Sequence, residues 1–299
     1  MKKKPETVPA SKISLKEIEK HIAKENVERI NKIEIFDNID STNNYLLQLS
    51  ASNDDIRICL AEQQTAGKGR LGRSWFSPPR ANIYLSISFP FSKEANELSG
   101  LSLAVATVVA DVLAEIGVEQ GVGLKWPNDV LWEYGVCPNN RKPQGFVTES
   151  RYKKLVGILV ETASGQHGVN NAVIGIGLNV NMPKDAAKVI DQPWVDLQTI
   201  MGHVVDRSEV AGLLVDRLIE KLFVFQNSGL SVFLKRWRQL DVWIGKPVKI
   251  TTPLGDIKGV ARGIDENGCF LLDDKKGVRH TISSGEILTI CKKGTSLFS

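Results

Sequence analysis

The feature that most constrains the fold is a set of three short apolar runs in the middle of the chain, at 121–126, 155–162 and 172–180. Runs of this length and composition are typical of central strands that are covered on both faces. A longer apolar stretch at 98–116 precedes them and predicts a helix. Asp111 and Glu115 interrupt that stretch, which falls short of the roughly 20 apolar residues that cross a bilayer. We therefore expect central strands packed against helices, with no membrane span.

Further strands are predicted at 32–36, 56–62 and 82–89, the last two on either side of a loop rich in glycine, lysine and arginine. Ser14 and Glu17 form a capping box, so one short helix is predicted within the first 30 residues. Ser41 and Thr42 can cap a second helix that runs through Leu49. A pair of helices is predicted at 208–226 and 230–240.

The pattern changes after Gly245, where short alternating runs are separated by Gly, Asp and Asn turns. These runs lie at 247–251, 256–261, 268–272 and 278–282. They predict a small antiparallel β-barrel of about 50 residues, which is too small for its own core to be comfortably stable. We therefore expect a tail with a short helix at 1–30, a main domain at 31–243, and a barrel at 244–299 that leans on the main domain.

Charge and cysteine usage restrict the function classes. There are 38 Lys and Arg against 34 Asp and Glu, and the resulting pI of about 8.8 is mild for a dedicated nucleic-acid binder. The four cysteines are widely scattered and form no C-x-x-C pair, which indicates reduced thiols and no structural zinc site. The lysines after Met1 are followed by Pro5 and not by the apolar run of an export signal. We expect a cytoplasmic protein that tolerates anionic ligands.

The glycine-rich loop holds Gly67-Lys-Gly-Arg-Leu-Gly72, which formally matches the dinucleotide fingerprint and comes within one residue of a P-loop. Both motifs bind phosphate at the N-terminus of a helix that follows at once, and the segment Trp75-Phe-Ser-Pro-Pro79 argues against such a helix. We favour a loop in which backbone amides with Lys68, Arg70 and Arg73 clamp anionic oxygens beside an aromatic ring. An exposed basic hairpin is the simpler alternative.

Polar residues stand at the ends of the three central runs. Lys125-Trp-Pro-Asn-Asp129 leaves the first run, Lys154 enters the second, and the third ends in Asn179 and Asn181. A lysine and amides in these places can meet a ligand at the edge of a sheet, where glycines such as Gly157 leave space for it. Turn formation, solvated lysines and core packing explain the same residues without a ligand.

Five motifs follow one another along the chain: Ser41-Thr-Asn43, then Gln64-Thr-Ala-Gly-Lys-Gly-Arg70 with Gly72-Arg73 and Trp75, then Lys125-Trp-Pro-Asn-Asp129, Lys154-Leu-Val-Gly-Ile-Leu-Val-Glu161 and Gly175-Ile-Gly-Leu-Asn179. In this order they closely resemble the motifs of the biotin protein ligase family. The resemblance extends from the first predicted strand to the C-terminal barrel. Lipoate ligases share the fold, but their arginine-pair and triple-glycine signature is absent.

The resemblance implies an α+β fold with a mixed, largely antiparallel sheet and packed helices. Such a domain is similar to the class II aminoacyl-tRNA synthetases, and a small C-terminal β-barrel follows it. The resemblance also implies a reaction in two steps. Biotin and ATP, with Mg²⁺, form biotinyl-5′-AMP and pyrophosphate. The biotinyl group then passes to a lysine of a biotin carboxyl carrier protein, such as that of acetyl-CoA carboxylase.

Roles for single residues are likewise implied by the resemblance. The residues implied to hold biotin are Ser41, Thr42, Asn43, Gln64, Lys68, Gly69, Arg70 and Lys154. Those implied to hold ATP are Arg73, Trp75, Lys125, Asn128 and Asn179, with Asp129 for Mg²⁺. Arg70, Lys125 and Lys154 are implied to act in catalysis, because fixed cations offset the repulsion between a carboxylate and a phosphate. A covalent nucleophile is not expected.

The chain departs from the family pattern in two places. Lys68 stands where the family more often has arginine, and Val130–Lys153 forms an insert where the family commonly has a tight hairpin. The insert is rich in Pro, Asn and Gly, which predicts an extended surface loop, with contact to the carrier domain as the alternative.

Partners are predicted on the same basis. One helix within the first 30 residues is too little for a helix-turn-helix, so we expect the form of the enzyme that has no specific DNA partner. A monomer and a homodimer are both open. The rival hypothesis is a non-enzymatic regulator that binds a nucleotide or nucleic acid through the basic loop.

Overall fold

The computed structural model describes residues 11–50, 55–92, 98–134, 151–164 and 170–288. Within them the helices are α1 (Leu15–Glu19), α2 (Lys24–Arg29), α3 (Thr42–Ser50), α4 (Leu101–Glu115), α5 (Leu197–Met201), α6 (Arg207–Ser228) and α7 (Ser231–Leu240). The strands are β1 (Lys32–Phe36), β2 (Arg57–Ala61), β3 (Ile83–Phe91), β4 (Val122–Lys125), β5 (Asp129–Glu133), β6 (Tyr152–Ser164), β7 (Asn170–Leu178), β8 (Pro247–Thr252), β9 (Gly255–Ile264), β10 (Phe270–Asp274), β11 (Arg279–Ile282) and β12 (Glu286–Leu288).

The chain divides into two compact units. The first contains the residues up to 92 together with 159–191 and 195–220, and the second contains 93–158, 192–194 and the residues from 221 onwards. Strand β6 contributes to both units. Among the described residues, no helix combines the length and the apolar character that crossing a membrane requires.

The first unit is built on strands that lie in the order β1-β2-β3-β7-β6. β1 and β2 are parallel, whereas β3 is antiparallel to both β2 and β7. Helix α3 packs against this sheet, with Leu46 buried against Cys59 and Val173. The strands predicted in this unit are confirmed, and their ends move by at most three residues.

The N-terminal segment holds two short helices, so the prediction of a single helix is wrong. The hydroxyl of Ser14 accepts from the backbone N–H of Glu17 and caps α1, as the capping box indicates. A tertiary contact starts the second helix: the N–H of Ala23 donates to Asp216 Oδ1 on α6 at 2.8 Å, and the Asn26 amide donates to the same oxygen at 2.7 Å. The sequence pattern does not reveal this distant partner.

A buried ion pair holds the beginning of the described chain in place. Arg207, 1% exposed, contacts Glu62 at 2.8 Å and also donates to the carbonyls of Ser11 and Asn82. The second oxygen of Glu62 accepts from the N–H of Ile13 at 2.6 Å. Both charges are thus paired inside the core, where an unpaired charge is strongly destabilising.

The strands of the second unit lie in the order β6-β5-β4, and both pairs are antiparallel. The run at 121–126 is predicted as a central strand, but β4 ends this order. Its outer side is partly covered by the segment after α7, since the N–H of Val242 donates to the Leu124 carbonyl at 3.2 Å.

The predicted surface loop at Val130–Lys153 is wrong at both ends. Its first residues belong to β5, where Val130, Leu131 and Trp132 are buried, and its last residues begin β6. Their pairing with neighbouring strands overrides the turn-forming composition between them. Residues 135–150, where the Pro- and Asn-rich part of the insert falls, lie outside the described residues.

The C-terminal segment forms an antiparallel sheet in the order β11-β10-β9-β8-β12. β12 is an additional strand that the sequence analysis does not predict. The expected α+β class is confirmed, but the barrel is not closed, since β11 and β12 end the order without pairing to each other in the described residues. Within this unit Trp126 Nε1 donates to the Gly268 carbonyl at 3.0 Å, and its ring lies 5.5 Å from that of Phe270.

Asp241, which follows α7, is a buried carboxyl group in the second unit. Burial raises its pKa to about 6, although it accepts hydrogen bonds from the backbone of Trp243 and Ile244 and lies near Lys246. The folded state therefore binds its proton more tightly than the unfolded state does. The corresponding stability is fully present below the unfolded pKa near 3.8 and is lost as the pH rises through 6.

We predict that Asp241→Asn removes the loss of folding stability that occurs as the pH rises. Relative to the parent protein, the variant should gain stability between pH 4 and pH 7, by about 3 kcal/mol at most, since one pKa unit corresponds to about 1.4 kcal/mol. Urea unfolding of both proteins across this range measures the difference. A constant difference at all pH values would show that the carboxyl group titrates normally.

Candidate active site

The glycine-rich loop folds back on itself as an irregular hairpin. The N–H of Gly69 donates to the Arg73 carbonyl at 2.7 Å, and the N–H of Trp75 donates to the Gly67 carbonyl at 2.8 Å. Leu71 at the tip has a φ of 56° and is 71% exposed. A single 3₁₀ turn at Arg70–Gly72 is followed by extended chain, so the helix that a P-loop or dinucleotide motif needs is missing here.

The cations of this loop lie at its surface, with Lys68 and Arg73 exposed and Arg70 half-buried. Asp40 lies nearby. Hydrogen bonds from Asn44 and from the backbone of Ser41 lower the pKa of this carboxyl, and the charge of Lys68 lowers it further. The loop therefore combines defined backbone bonds with accessible positive charge, as an anion-binding loop requires.

A chain of hydrogen bonds, which we call the polar chain, connects Glu161, Asn43, Ser86, Thr42, Gln64 and Ser77. Its first half connects the start of α3 with β3 and β6. The Asn43 amide nitrogen donates to Glu161 Oε2 at 2.9 Å, and Ser86 Oγ lies 2.6 Å from Asn43 Oδ1 and 2.7 Å from Thr42 Oγ1. Asn43, Thr42 and Ser86 are each at most 4% exposed.

The second half of the polar chain reaches the glycine-rich loop. The backbone N–H of Thr42 donates to Gln64 Oε1 at 3.0 Å, and the Thr42 hydroxyl lies 3.1 Å from the same oxygen. Gln64 Nε2 then donates to Ser77 Oγ at 3.1 Å, and this hydroxyl donates to the Trp75 carbonyl at 2.9 Å. Three of the residues predicted to hold biotin, Thr42, Asn43 and Gln64, thus belong to one network. A fourth, Ser41, lies beside it and caps α3, since its hydroxyl accepts from the Asn44 N–H at 3.4 Å.

Two glycines of β7 make room for these side chains. A Cβ at Gly175 would lie 2.2 Å from Asn43 Oδ1, and one at Gly177 would lie 2.4 Å from the ring of Trp75. The sequence analysis leaves open whether these glycines admit a ligand or serve packing. In the structure they admit side chains of the site itself, so only glycine fits.

The second unit carries a cluster of charges, which we call the lysine–carboxylate cluster. Lys154 Nζ lies 2.8 Å from Asp129 Oδ1, and Lys125 Nζ lies 4.0 Å from Asp129 Oδ2. The three side chains are 12–17% exposed. Two cations thus share one carboxylate, which leaves a formal positive charge in a mostly buried place.

The strand register creates this cluster. Lys125 lies directly opposite Asp129 in the β4–β5 pair. Asp129 pairs with Gly157 and Leu131 with Lys154, so β6 has one extra residue, Leu155, between these pairs. This bulge turns Lys154 to the face of the sheet that Asp129 occupies, which a regular register would not do.

Other predicted residues serve the fold in this structure. The Asn128 amide donates to the Ile158 carbonyl at 2.8 Å. Asn179 is 4% exposed, and its amide nitrogen donates to the Val195 carbonyl at 3.2 Å while its oxygen accepts from Asn82 at 3.4 Å. Among the described residues, no group of three or more His, Cys, Asp or Glu could hold a metal ion by itself.

The sequence analysis misses Ser77, Ser86 and Glu161 as members of the site. Ser86 and Ser88 are polar residues two apart within the otherwise apolar β3, which is a usable signal for a polar contact on one face of a strand. Glu161 closes a quoted motif, but nothing in the sequence shows that Asn43 is its partner.

Comparison with known proteins identifies relatives of the chain. Residues 35–179 match the Biotin/lipoate A/B protein ligase family, and residues 243–288 match the Biotin protein ligase C terminal domain. The bifunctional ligase/repressor BirA of Escherichia coli is 37% identical over 249 residues, which cover 83% of this chain and 71% of that protein. The biotin acetyl-CoA-carboxylase ligase of Mycobacterium tuberculosis is 34% identical over 254 residues, which cover 83% and 85%.

Among solved structures, a biotin protein ligase has a similar fold. The biotin protein ligase from Aquifex aeolicus in complex with biotin and ATP superposes with a TM-score of 0.65 at 29% sequence identity. The superposition covers 87% of this chain and 98% of that one.

We predict that Gly177→Ala destabilises the protein by about 1–3 kcal/mol, because the added methyl group overpacks the contact with the Trp75 ring. The same change in a Trp75→Ala background should cost little, since the obstructing ring is gone. Urea unfolding of the four proteins gives this double-mutant cycle. An equal cost in both backgrounds would mean that Trp75 does not occupy the space over Gly177.

Proposed function

The chain belongs to the biotin/lipoate A/B protein ligase family, and we propose that it activates biotin with ATP to biotinyl-5′-AMP and transfers the biotinyl group to a lysine of a biotin carboxyl carrier protein. The observation that carries the proposal is the lysine–carboxylate cluster of Lys125, Asp129 and Lys154 in the second unit. The neutral members of the polar chain in the first unit add donors and acceptors, which suit the ureido ring of biotin. Lipoate has no ureido group to use them.

In the first step an oxygen of the biotin carboxylate attacks the α-phosphorus of ATP, and the bond from that phosphorus to pyrophosphate breaks. Two like charges about 4 Å apart repel by roughly 1 kcal/mol in water and roughly 4 kcal/mol at an effective dielectric constant of 20. Lys154 and Lys125, with Arg70 of the loop, would offset this repulsion as the new bond forms. An incoming anion competes with Asp129 for both lysines.

In the second step the neutral amine of the target lysine attacks the acyl carbon of the mixed anhydride, and AMP leaves. The anhydride is already activated, so no covalent nucleophile of the enzyme is required. The enzyme has to hold the adenylate and exclude water until the carrier arrives.

The polar chain is the proposed site of the biotin ring. Ser41, Thr42, Asn43 and Gln64 would supply its hydrogen bonds, and burial of this network pre-organises them. Lys68, Gly69 and Arg70 would cover the biotin tail and the phosphate. At Lys68 a point charge replaces the guanidinium fork of an arginine, so one bidentate contact is lost.

ATP is the proposed ligand of Arg73, Trp75 and Lys125, with Asn128 and Asn179 expected at the same site. The ring of Trp75 over Gly177 offers a face for adenine. Asn128 and Asn179 already bond the protein, so we propose that they shape the site from behind more than they contact ATP.

Asp129 is the proposed ligand of Mg²⁺. The residues fit an ion that arrives with ATP, because Mg²⁺ commonly binds one or two carboxylates together with substrate phosphates. Asp129 supplies one carboxylate, and its lysine partners suit the phosphates. The ion would neutralise phosphate charge when bound.

We propose the same domain division as the sequence predicts, with a tail at 1–30, a catalytic domain at 31–243 and a C-terminal domain at 244–299, supported by the family match at 243–288. A cytoplasmic location is consistent with the free thiols of Cys59 and Cys269. A homodimer is the alternative to a monomer, and analytical ultracentrifugation with and without biotin and ATP distinguishes them.

We predict that the described N-terminal segment does not bind DNA specifically, although the E. coli relative is named a ligase/repressor. α1 and α2 have five and six residues; Gly212 of α6 packs against the backbone of Ile18, and the Asn26 amide donates to Asp216 of α6. A recognition helix needs a longer exposed face. Gel-shift titration against biotin-gene promoter DNA at physiological salt, with biotin and ATP present, should show no specific complex; one that survives competitor DNA would contradict this.

We predict that the purified protein, given biotin, ATP and Mg²⁺, releases pyrophosphate and labels a carrier-domain lysine. Lys154→Ala should slow adenylate formation by about a hundredfold, as is typical when one group that stabilises transition-state charge is removed. Mass spectrometry of the carrier and a pyrophosphate assay measure both effects.

Lys153→Ala is the matched control, because Lys153 lies next in the chain but over the ring of Tyr134, at 4.2 Å. It should retain nearly full activity. Labelling with lipoate and none with biotin would refute the proposed substrate. Binding of ATP or nucleic acid without any pyrophosphate release would favour the rival non-enzymatic regulator.

A further inference from the structure

Trp126 lies between two members of the lysine–carboxylate cluster in the sequence, Lys125 and Asp129. Its side chain is 2% exposed, which is too little for contact with a ligand. The indole N–H can only donate a hydrogen bond, and it donates to the Gly268 carbonyl at 3.0 Å. Gly268 lies in the turn between β9 and β10, so this buried bond connects the motif of the site to the C-terminal sheet.

The turn that carries this carbonyl, residues 265–269, is itself held in place. The N–H groups of Asn267 and Cys269 donate to Asp265 Oδ1, at 2.9 Å and 2.8 Å. Gly268 has a φ of 78°, which favours glycine, and a Cβ there would lie 2.9 Å from a leucine side chain of α4. The acceptor of the indole N–H therefore has a defined position before a ligand binds.

Further contacts hold the motif on either side of this bond. The ring of Phe270, which is fully buried, lies 5.5 Å from the ring of Trp126. The next carbonyl in the chain, that of Pro127, accepts from the Ser102 hydroxyl on α4 at 3.0 Å. Two successive residues of the motif are thus fixed by segments that are distant in the sequence.

Lys125 is the member of the lysine–carboxylate cluster whose position depends most on these contacts. Asp129 and Lys154 belong to β5 and β6, which pair directly with each other. Lys125 is the last residue of β4, which ends the strand order, and it shares a peptide plane with Trp126. Movement of the indole would therefore redirect the Lys125 side chain, whereas the ion pair between Asp129 and Lys154 would remain.

We propose that Trp126 is a positioning residue for ATP binding, which acts by fixing Lys125 through its hydrogen bond to the 265–269 turn. The C-terminal sheet thereby contributes to phosphate binding without placing a side chain in the site. This inference rests on the proposed function and adds to it a route by which the C-terminal sheet serves the reaction. Binding of the biotin ring, which uses the polar chain of the first unit, does not depend on this bond.

The first test removes the indole N–H and keeps an aromatic ring. In Trp126→Phe the dissociation constant for a non-hydrolysable ATP analogue with Mg²⁺ should rise about tenfold, as expected when a hydrogen bond to a charged group is weakened. The dissociation constant for biotin should not change. Trp132→Phe is the matched control, because this buried tryptophan of β5 has no hydrogen-bond partner for its indole nitrogen among the described residues. Its affinity for both ligands should equal that of the parent.

The second test changes the turn at Asp265, a half-buried residue outside the proposed ligand sites. Asp265→Ala removes the acceptor that orders the turn, so the dissociation constant for the analogue should rise about threefold. Asp265→Asn retains an acceptor oxygen and should bind the analogue like the parent. In a Trp126→Phe background Asp265→Ala should have no further effect, because the connection is already lost. Titration calorimetry of the single and double variants gives this cycle, and thermal unfolding checks that each protein is folded.

The proposal is overturned if Trp126→Phe binds the analogue as the parent does, or if it weakens biotin binding as much as analogue binding. Equal analogue affinity of Asp265→Ala and the parent overturns it as well, which keeps the test decisive if Trp126→Phe does not fold. A purely structural role predicts that Asp265→Ala has the same effect in both backgrounds, and that result also contradicts the proposal. The proposed function fails separately, if the parent protein binds both ligands but forms no adenylate from biotin, ATP and Mg²⁺.

Discussion

Buried polar groups need partners, and this constraint determines how the candidate site is built. The residues expected to receive biotin lie around the start of α3, where Thr42, Asn43 and the neighbouring Ser86 of β3 are almost fully buried. Each side chain forms a hydrogen bond with the next one, so the network is ordered before a ligand arrives. The glycines of β7 follow from the same constraint, because Gly175 has to leave room for an amide that is already committed on both sides.

The charged part of the site obeys the same constraint in a different way. Asp129, Lys125 and Lys154 would each be costly to bury alone, and together they retain one formal positive charge. Their proximity depends on the extra residue in β6 at Leu155. The bulge is thus the structural reason that a lysine at the start of an apolar strand becomes part of an anion site, and not a solvated end of the strand.

Strong local patterns made much of the fold predictable from the sequence. The apolar runs and the capping signals of Ser14 and Ser41 specify elements through neighbouring residues alone. The errors arise where contacts with distant residues determine the local structure. The hydrogen bond from Ala23 to Asp216 starts a second N-terminal helix. Pairing with β4 and β6 makes β5 a strand, although the residues around it are typical of a loop. The motifs located Lys125, Asp129 and Lys154 along the chain, but the register that brings them together depends on long-range pairing.

The central claim is that neutral hydrogen bonds from one set of residues bind the ring of biotin, whereas charges from another set bind the phosphates. Calorimetric titration of Thr42→Val and Lys125→Ala, each with biotin and separately with a non-hydrolysable ATP analogue, tests it most directly. Thr42→Val should weaken biotin at least about tenfold and leave the analogue unchanged, as expected for a lost hydrogen bond in a buried network, and Lys125→Ala should do the reverse. Equal weakening of both ligands in either variant would contradict the account.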